Sequence, residues 1–229
     1  MTDESTDRPA GKDPRSTTDP VTATEPGVAT GSVAPTDGPS PVVRRLARVV
    51  TEALTPGVLV AGICVTVAWH TGSVGWGVAM AVFASGIPVA YIVRGVRRGR
   101  FTDRHIMVRE HRPAVIVAAA VSVVAGLALM LAFDAPRDLI ALVVAMLAGL
   151  ALTLVVTVWW GKASVHTAVA AGTAVTLVLV FGPWLHLSWL VVGLVAWSRV
   201  VLKEHTVAQT IVGIALGALA AGAVFPLGR

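Results

Sequence analysis

Three polar clusters stand out in a chain of 229 residues that is otherwise apolar over most of its length. The first runs Asp103-Arg104-His105-Ile106-Met107-Val108-Arg109-Glu110-His111-Arg112-Pro113 and the second Lys162-Ala163-Ser164-Val165-His166. The third begins Ser198-Arg199 and continues through Lys203-Glu204-His205-Thr206 to Gln209. Each sets a cation and an imidazole beside an uncharged run. That pairing suits a phosphate group: cations and the N–H groups of a helix start bind the anion, while an imidazole titrating near neutrality exchanges protons or attacks phosphorus. Singly, each cluster has an ordinary reading. Arginines after a membrane helix mark topology, and a histidine at a helix start is a satisfied interfacial residue. Joint action requires that helices return all three clusters to one side.

The composition supplies those helices. With 55% hydrophobic and 14% charged residues and a mean hydropathy of +0.77, the chain is too apolar for a soluble domain of this size. A charge at the bilayer centre costs at least ~2.5–3.5 kcal/mol on insertion scales, so uncharged stretches are read as crossings. They hold 41 residues between Glu52 and Arg94, 21 between Arg112 and Asp134, 23 between Asp138 and Lys162, 36 between Lys162 and Arg199, and 24 between Glu204 and Arg229. One crossing needs about 20 residues. The two longest stretches are therefore hairpins, broken at His70-Thr71-Gly72-Ser73 and at Gly182-Pro183-Trp184. The count predicts an all-α, polytopic membrane bundle of six to seven transmembrane helices over residues 42–229. Residues 1–41, rich in Thr, Pro, Asp, Gly and Ser and without Leu, Ile, Phe or Trp, read as a disordered tail with no signal peptide.

Seven crossings return all three clusters to one face, which carries thirteen of the fifteen Lys and Arg residues after position 41. By the positive-inside rule that face is cytoplasmic. Cys64 is the only cysteine, which excludes an internal disulfide and CxxC chemistry. Other polar residues read as structural. His70 and His186 fall at the far interface, Asp134, Arg137 and Asp138 in a solvated turn, and Gly213 and Gly217 form a GxxxG for helix packing.

The spacing within the clusters resembles the type 2 phosphatidic acid phosphatase family, whose motifs are K-x6-R-P, P-S-G-H and S-R-x5-H-x3-D. Here they read His105, six residues, Arg112-Pro113; Ala163-Ser164-Val165-His166; and Ser198-Arg199, five residues, His205, three residues, Gln209. The resemblance covers roughly residues 100–226. It implies that His205 is the nucleophile that forms a phosphohistidine and that His166 protonates the leaving oxygen. It also implies that Arg112, Arg199 and Ser164 clamp the phosphoryl oxygens, with His105 in place of the family lysine. Lys162 is either a further phosphate contact or an interfacial lysine whose stem snorkels.

Four positions depart from the pattern: Gln209 for Asp, His105 for Lys, Val165 for Gly and Ala163 for Pro. Gln209 still reaches His205 at i, i+4 but lacks the charge that stabilises an imidazolium. The expected activity is hydrolysis of a lipid-linked phosphate or diphosphate with no cofactor and no metal, since cationic side chains take that role. The expected partners are the bilayer and the lipid phosphate, with no nucleic acid. Two other classes stay open: a relative without turnover that binds lipid phosphate or acts as a scaffold, and an anion transporter. Internal repeats and acidic residues at mid-membrane depth, the usual marks of the last, are missing from the sequence.

Overall fold

The computed structural model describes residues 38–99, 112–159 and 161–229, with the backbone alone over 112–116. The expected tail up to Asp37, and His105 with the rest of its cluster before Arg112, lie outside the described residues. Every regular element among the described residues is helical. Helix α1 (Pro41–Ala53) starts at the Ser40 cap and is followed by α2 (Pro56–His70), capped by Thr55. Next come α3 (Val74–Ala81), a π-helical turn at Val82–Gly86, and α4 (Ile87–Arg97). Then follow α5 (Arg112–Ala132), α6 (Arg137–Trp159), α7 (Val165–Phe181), a 3-10 turn at Pro183–Ser188, α8 (Trp189–Val201) and α9 (Val207–Gly228). Both expected hairpin breaks fall where the sequence puts them, after His70 and after Phe181.

The protein is an all-α membrane helix bundle. Among the described residues, four helical stretches, Val74–Arg97, Arg137–Trp159, Pro183–Val201 and Val207–Gly228, are long and apolar enough to cross a bilayer. A fifth arises if α1 and α2, bent by 45°, make one span. That number is counted among the described residues; α5, which spans 21 residues from Arg112 to Ala132, has side chains described only from Val117 onward. Helix α2 has 15 residues and α7 has 17, short of the ~20 that cross the hydrocarbon without tilt to spare. Helix α1 was not anticipated. Its arginines Arg44, Arg45 and Arg48 are exposed while Ala47 and Thr51 are buried. Thr51 donates to the Ser198 hydroxyl at 3.0 Å, and Ser198 donates to the Val195 carbonyl at 2.7 Å, which ties α1 to α8 one residue before Arg199.

Pro88 explains the π-helical turn. It has no N–H to close the helical ladder, so a carbonyl one turn earlier lacks its usual donor. The Ser122 hydroxyl of α5 supplies one, donating to the Phe83 carbonyl at 2.6 Å. Satisfying such a group internally matters most where no water reaches the backbone.

Helices α7 and α9 pack backbone to backbone. A Cβ added at Gly217 would run into the Ala168 carbonyl, and one at Gly213 into the Ser164 carbonyl and the Thr167 hydroxyl. The backbones meet because both positions lack a side chain, the geometry expected of a GxxxG pair. Thr167 fastens the crossing by donating to the carbonyls of Ser164 (3.1 Å) and Thr210 (3.0 Å). At the opposite end Arg229 donates to the Leu179 carbonyl at 2.8 Å and pairs with Asp138 at 3.4 Å. The polar loop around Asp138, read from sequence as a solvated turn, therefore also anchors the end of α9. His70 stacks edge-on against Phe181 at the same end, with 5.0 Å between centroids.

Gly217→Val is expected to destabilise the protein by at least ~1–3 kcal/mol, the usual range for overpacking. Gly193→Ala, where an added methyl meets nothing within 4 Å, is expected to leave stability unchanged or slightly raised. Thermal unfolding in detergent micelles checks the pair, and equal midpoints for the two variants would contradict this account of the crossing.

Candidate functional site

The second and third clusters meet at the α7–α9 crossing. Ser164 is the N-cap of α7, and its backbone N–H donates to the Gln209 carbonyl at 3.2 Å, joining the first turns of α7 and α9. A serine at this position usually turns its hydroxyl on the open N–H groups of the first turn. Here it does not. The Ser164 side chain makes no cap bond, is fully buried, and its Oγ finds no partner among the described residues. A buried hydroxyl left in that state costs ~1–3 kcal/mol. His166 is half-buried on the same first turn, and Lys162 is exposed just ahead of it.

The connection between α8 and α9 brings Arg199 and His205 together. Lys203 N–H donates to the Val200 carbonyl at 2.9 Å and Glu204 N–H to the Arg199 carbonyl at 3.1 Å, the two bonds of a Schellman closure. The closure needs a left-handed residue, and Lys203 takes that conformation with φ of 57°. His205 N–H also donates to the Arg199 carbonyl, at 3.3 Å. Arg199 is only 6% exposed; its guanidinium is ion-paired with the Glu204 carboxylate, and its Nε lacks a partner among the described residues.

Gln209 fixes the imidazole. The Thr206 hydroxyl accepts from Gln209 N–H at 3.2 Å and Gln209 Oε1 accepts from Thr206 N–H at 3.2 Å, forming a capping box at the start of α9. The same oxygen lies 3.2 Å from His205 Nδ1. Because Oε1 can only accept, Nδ1 carries the proton in the neutral ring, and Nε2 keeps its lone pair. Burial is the main force holding the His205 pKa below its ordinary 6.5, and the positive charge of Arg199 acts the same way, with Lys162 adding a little. The Gln209 bond and the Glu204 charge pull in the other direction without overcoming it.

Of the residues singled out in the sequence, Ser164, Arg199, His205 and Gln209 thus share one connected neighbourhood, with Lys162 and His166 at its border. Arg112 begins α5, but its side chain lies outside the described residues, as does His105. Sequence reasoning missed Glu204 as the partner of Arg199 and Thr206 as the cap. The Thr-x-x-Gln spacing ahead of an apolar run was the available signal for the latter. An apolar cavity of about 270 Å³ lies between the helices, lined by Val165, Ala168 and Val169 of α7, Ala119 and Val123 of α5, and Leu150 of α6, among others; Val165, between Ser164 and His166, is its nearest lining residue in sequence to the site. No group of three or more potential metal ligands occurs among the described residues. The fold and site together define a membrane helix bundle with a half-buried histidine beside buried cationic and hydroxyl groups. No family model, curated protein or solved structure matches the chain.

The lowered pKa has a definite sign. Below pH 6.5 the unfolded ring binds more protons than the folded one, so this group's stabilising share is whole above 6.5 and declines as the pH falls. Carbethoxylation of neutral imidazole, taken as the difference between wild type and His205→Ala, should therefore show a midpoint below 6.5. Lys162→Met should lower that midpoint's offset by moving it up. A midpoint at or above 6.5 for the wild type would contradict the burial argument.

Proposed function

We propose that the protein is a membrane phosphatase that hydrolyses a lipid-linked phosphate or diphosphate, of a polyprenyl or glycerolipid, through a phosphohistidine at His205. One observation carries this reading. Two buried polar atoms without partners among the described residues, Ser164 Oγ and Arg199 Nε, flank the neighbourhood of an imidazole whose Nδ1 proton is tied to Gln209. Donors held out of water and unsatisfied are what an incoming phosphoryl oxygen requires, and they act most strongly on charge that develops during reaction.

In this mechanism Nε2 of His205 attacks phosphorus and the bond to the lipid oxygen breaks. His166 gives that oxygen a proton and then takes one from the water that attacks the phosphohistidine, releasing inorganic phosphate. Arg199, Ser164 and the N–H groups at the start of α7 carry the phosphoryl oxygens, with Lys162 at the exposed side. Arg112 and His105 join them by resemblance alone. The apolar chain of the substrate lies along the cavity beside Val165. A second reading, a relative that binds lipid phosphate without turnover, is favoured by one feature. Gln209 contributes an oxygen but no charge to oppose an imidazolium, and it shares that oxygen with Thr206 N–H.

Phosphate release from a lipid phosphate in mixed micelles is expected from the wild type and to fall by about 10²–10⁴-fold in His205→Ala. Radiolabelled substrate should leave an acid-labile, base-stable label on the wild type only. Gln209→Glu keeps the capping box and adds the missing charge, so it should raise kcat. Equal release by wild type and His205→Ala would end the hydrolase reading and leave the binding one.

The site faces the cytoplasm in this proposal, because the membrane face to which charge spacing assigns its clusters carries thirteen of the fifteen Lys and Arg residues after position 41. Ser40→Cys, just ahead of α1, should then resist an impermeant thiol reagent in intact cells and react after lysis. Labelling in intact cells would put the site on the outer face.

A further inference from the structure

Building on the phosphate-site reading, we infer that Glu204 is a displaceable occupant of the anion seat, its carboxylate holding the Arg199 guanidinium until a phosphate group takes its place. The two partners are unequally exposed. The Arg199 side chain is 8% exposed and that of Glu204 is 42% exposed. A buried guanidinium without a counter-charge is strongly destabilising, and the Schellman turn at Lys203 brings back the nearest carboxylate in the chain to supply one. It does so incompletely, since Arg199 Nε remains buried and without a partner among the described residues. A carboxylate offers two oxygens, whereas a phosphate group offers three or more and matches the planar fork of arginine. Glu204 sits on a solvent-facing turn, so it can swing out while Arg199 stays. A phosphate dianion and the carboxylate repel each other at such range, and the two occupancies exclude one another.

Glu204 could instead stand in for the acidic residue missing at position 209. The geometry opposes that: the ring nitrogen of His205 is bonded to Gln209, and the carboxylate of Glu204 to Arg199. The two roles also separate experimentally. Removing a displaceable occupant tightens anion binding, whereas removing a group that supports the imidazole lowers kcat.

Inorganic phosphate binding to the full chain in detergent, followed by calorimetry, tests the inference. Glu204→Gln is expected to bind roughly tenfold tighter than wild type, about one charge-assisted hydrogen bond, and Glu204→Ala should shift in the same direction. The gain should vanish when Arg199→Ala is added, because the occupant then has no seat to vacate. Equal or weaker binding by both Glu204 variants, a gain that persists without Arg199, or no binding by any protein would overturn it. Lipid phosphate hydrolysis assayed in parallel keeps the two claims apart. Tighter phosphate binding by Glu204→Gln with no turnover by any variant would leave the displaceable carboxylate standing and remove the hydrolase. A fall in kcat at unchanged phosphate affinity would instead assign Glu204 to the imidazole.

Discussion

The site depends on one steric fact, that α7 and α9 touch backbone to backbone. At Gly213 and Gly217 there is no room for a Cβ against Ser164, Thr167 and Ala168. Only at that separation can Ser164 N–H reach the Gln209 carbonyl at 3.2 Å. That bond sets the two helix starts side by side, and with them the histidines at positions 166 and 205. A glycine pair eight and twelve residues beyond His205 therefore sets the geometry at the helix mouth. In lipid, where apolar surface gains little by leaving its surroundings, close packing and interhelical hydrogen bonds are the available cohesive forces. Thr167 supplies both at once.

Polar groups at the mouth are divided between holding the fold and remaining open. Gln209 Oε1 accepts from Thr206 N–H and from His205 Nδ1–H, so one oxygen ends the helix and selects the tautomer. Ser198 is wholly occupied between Thr51 and Val195. Ser164 is different: it caps α7 by backbone geometry alone, leaving its hydroxyl without a partner among the described residues. A membrane protein that leaves buried donors in this state forgoes stability at that point, a pattern that clusters at functional positions.

The fold class and both hairpin breaks were legible because a charge in hydrocarbon is costly and few of them interrupt the apolar runs. The lengths of α2 and α7 were less legible. Charge spacing counts uncharged residues, whereas Thr55-Pro56 and Gly182-Pro183 shorten the helices inside those runs, leaving α2 and α7 below a full crossing. The second and third clusters were legible from their spacing, since His205 and Gln209 meet at i, i+4 as expected and Ser164 opens α7. The Arg199–Glu204 pair was not, because the two are five apart in sequence and meet only where a helix has just ended in a left-handed turn. Thr51 could not be found either. Its partner lies 147 residues away, and one hydroxyl among many carries no periodic signal. The first cluster lies almost wholly outside the described residues, so its share in the site rests on its letters.

Lys203 carries a constraint that its solvent exposure hides. Its φ of 57° belongs to the left-handed region, where a branched Cβ crowds the backbone and proline is forbidden outright. Glycine and asparagine fit there most easily. In a saturation survey of the chain this position would therefore reject valine, isoleucine and proline while accepting glycine. An intolerant surface lysine near Arg199 and His205 invites interpretation as a ligand contact, when a backbone angle alone accounts for the selectivity.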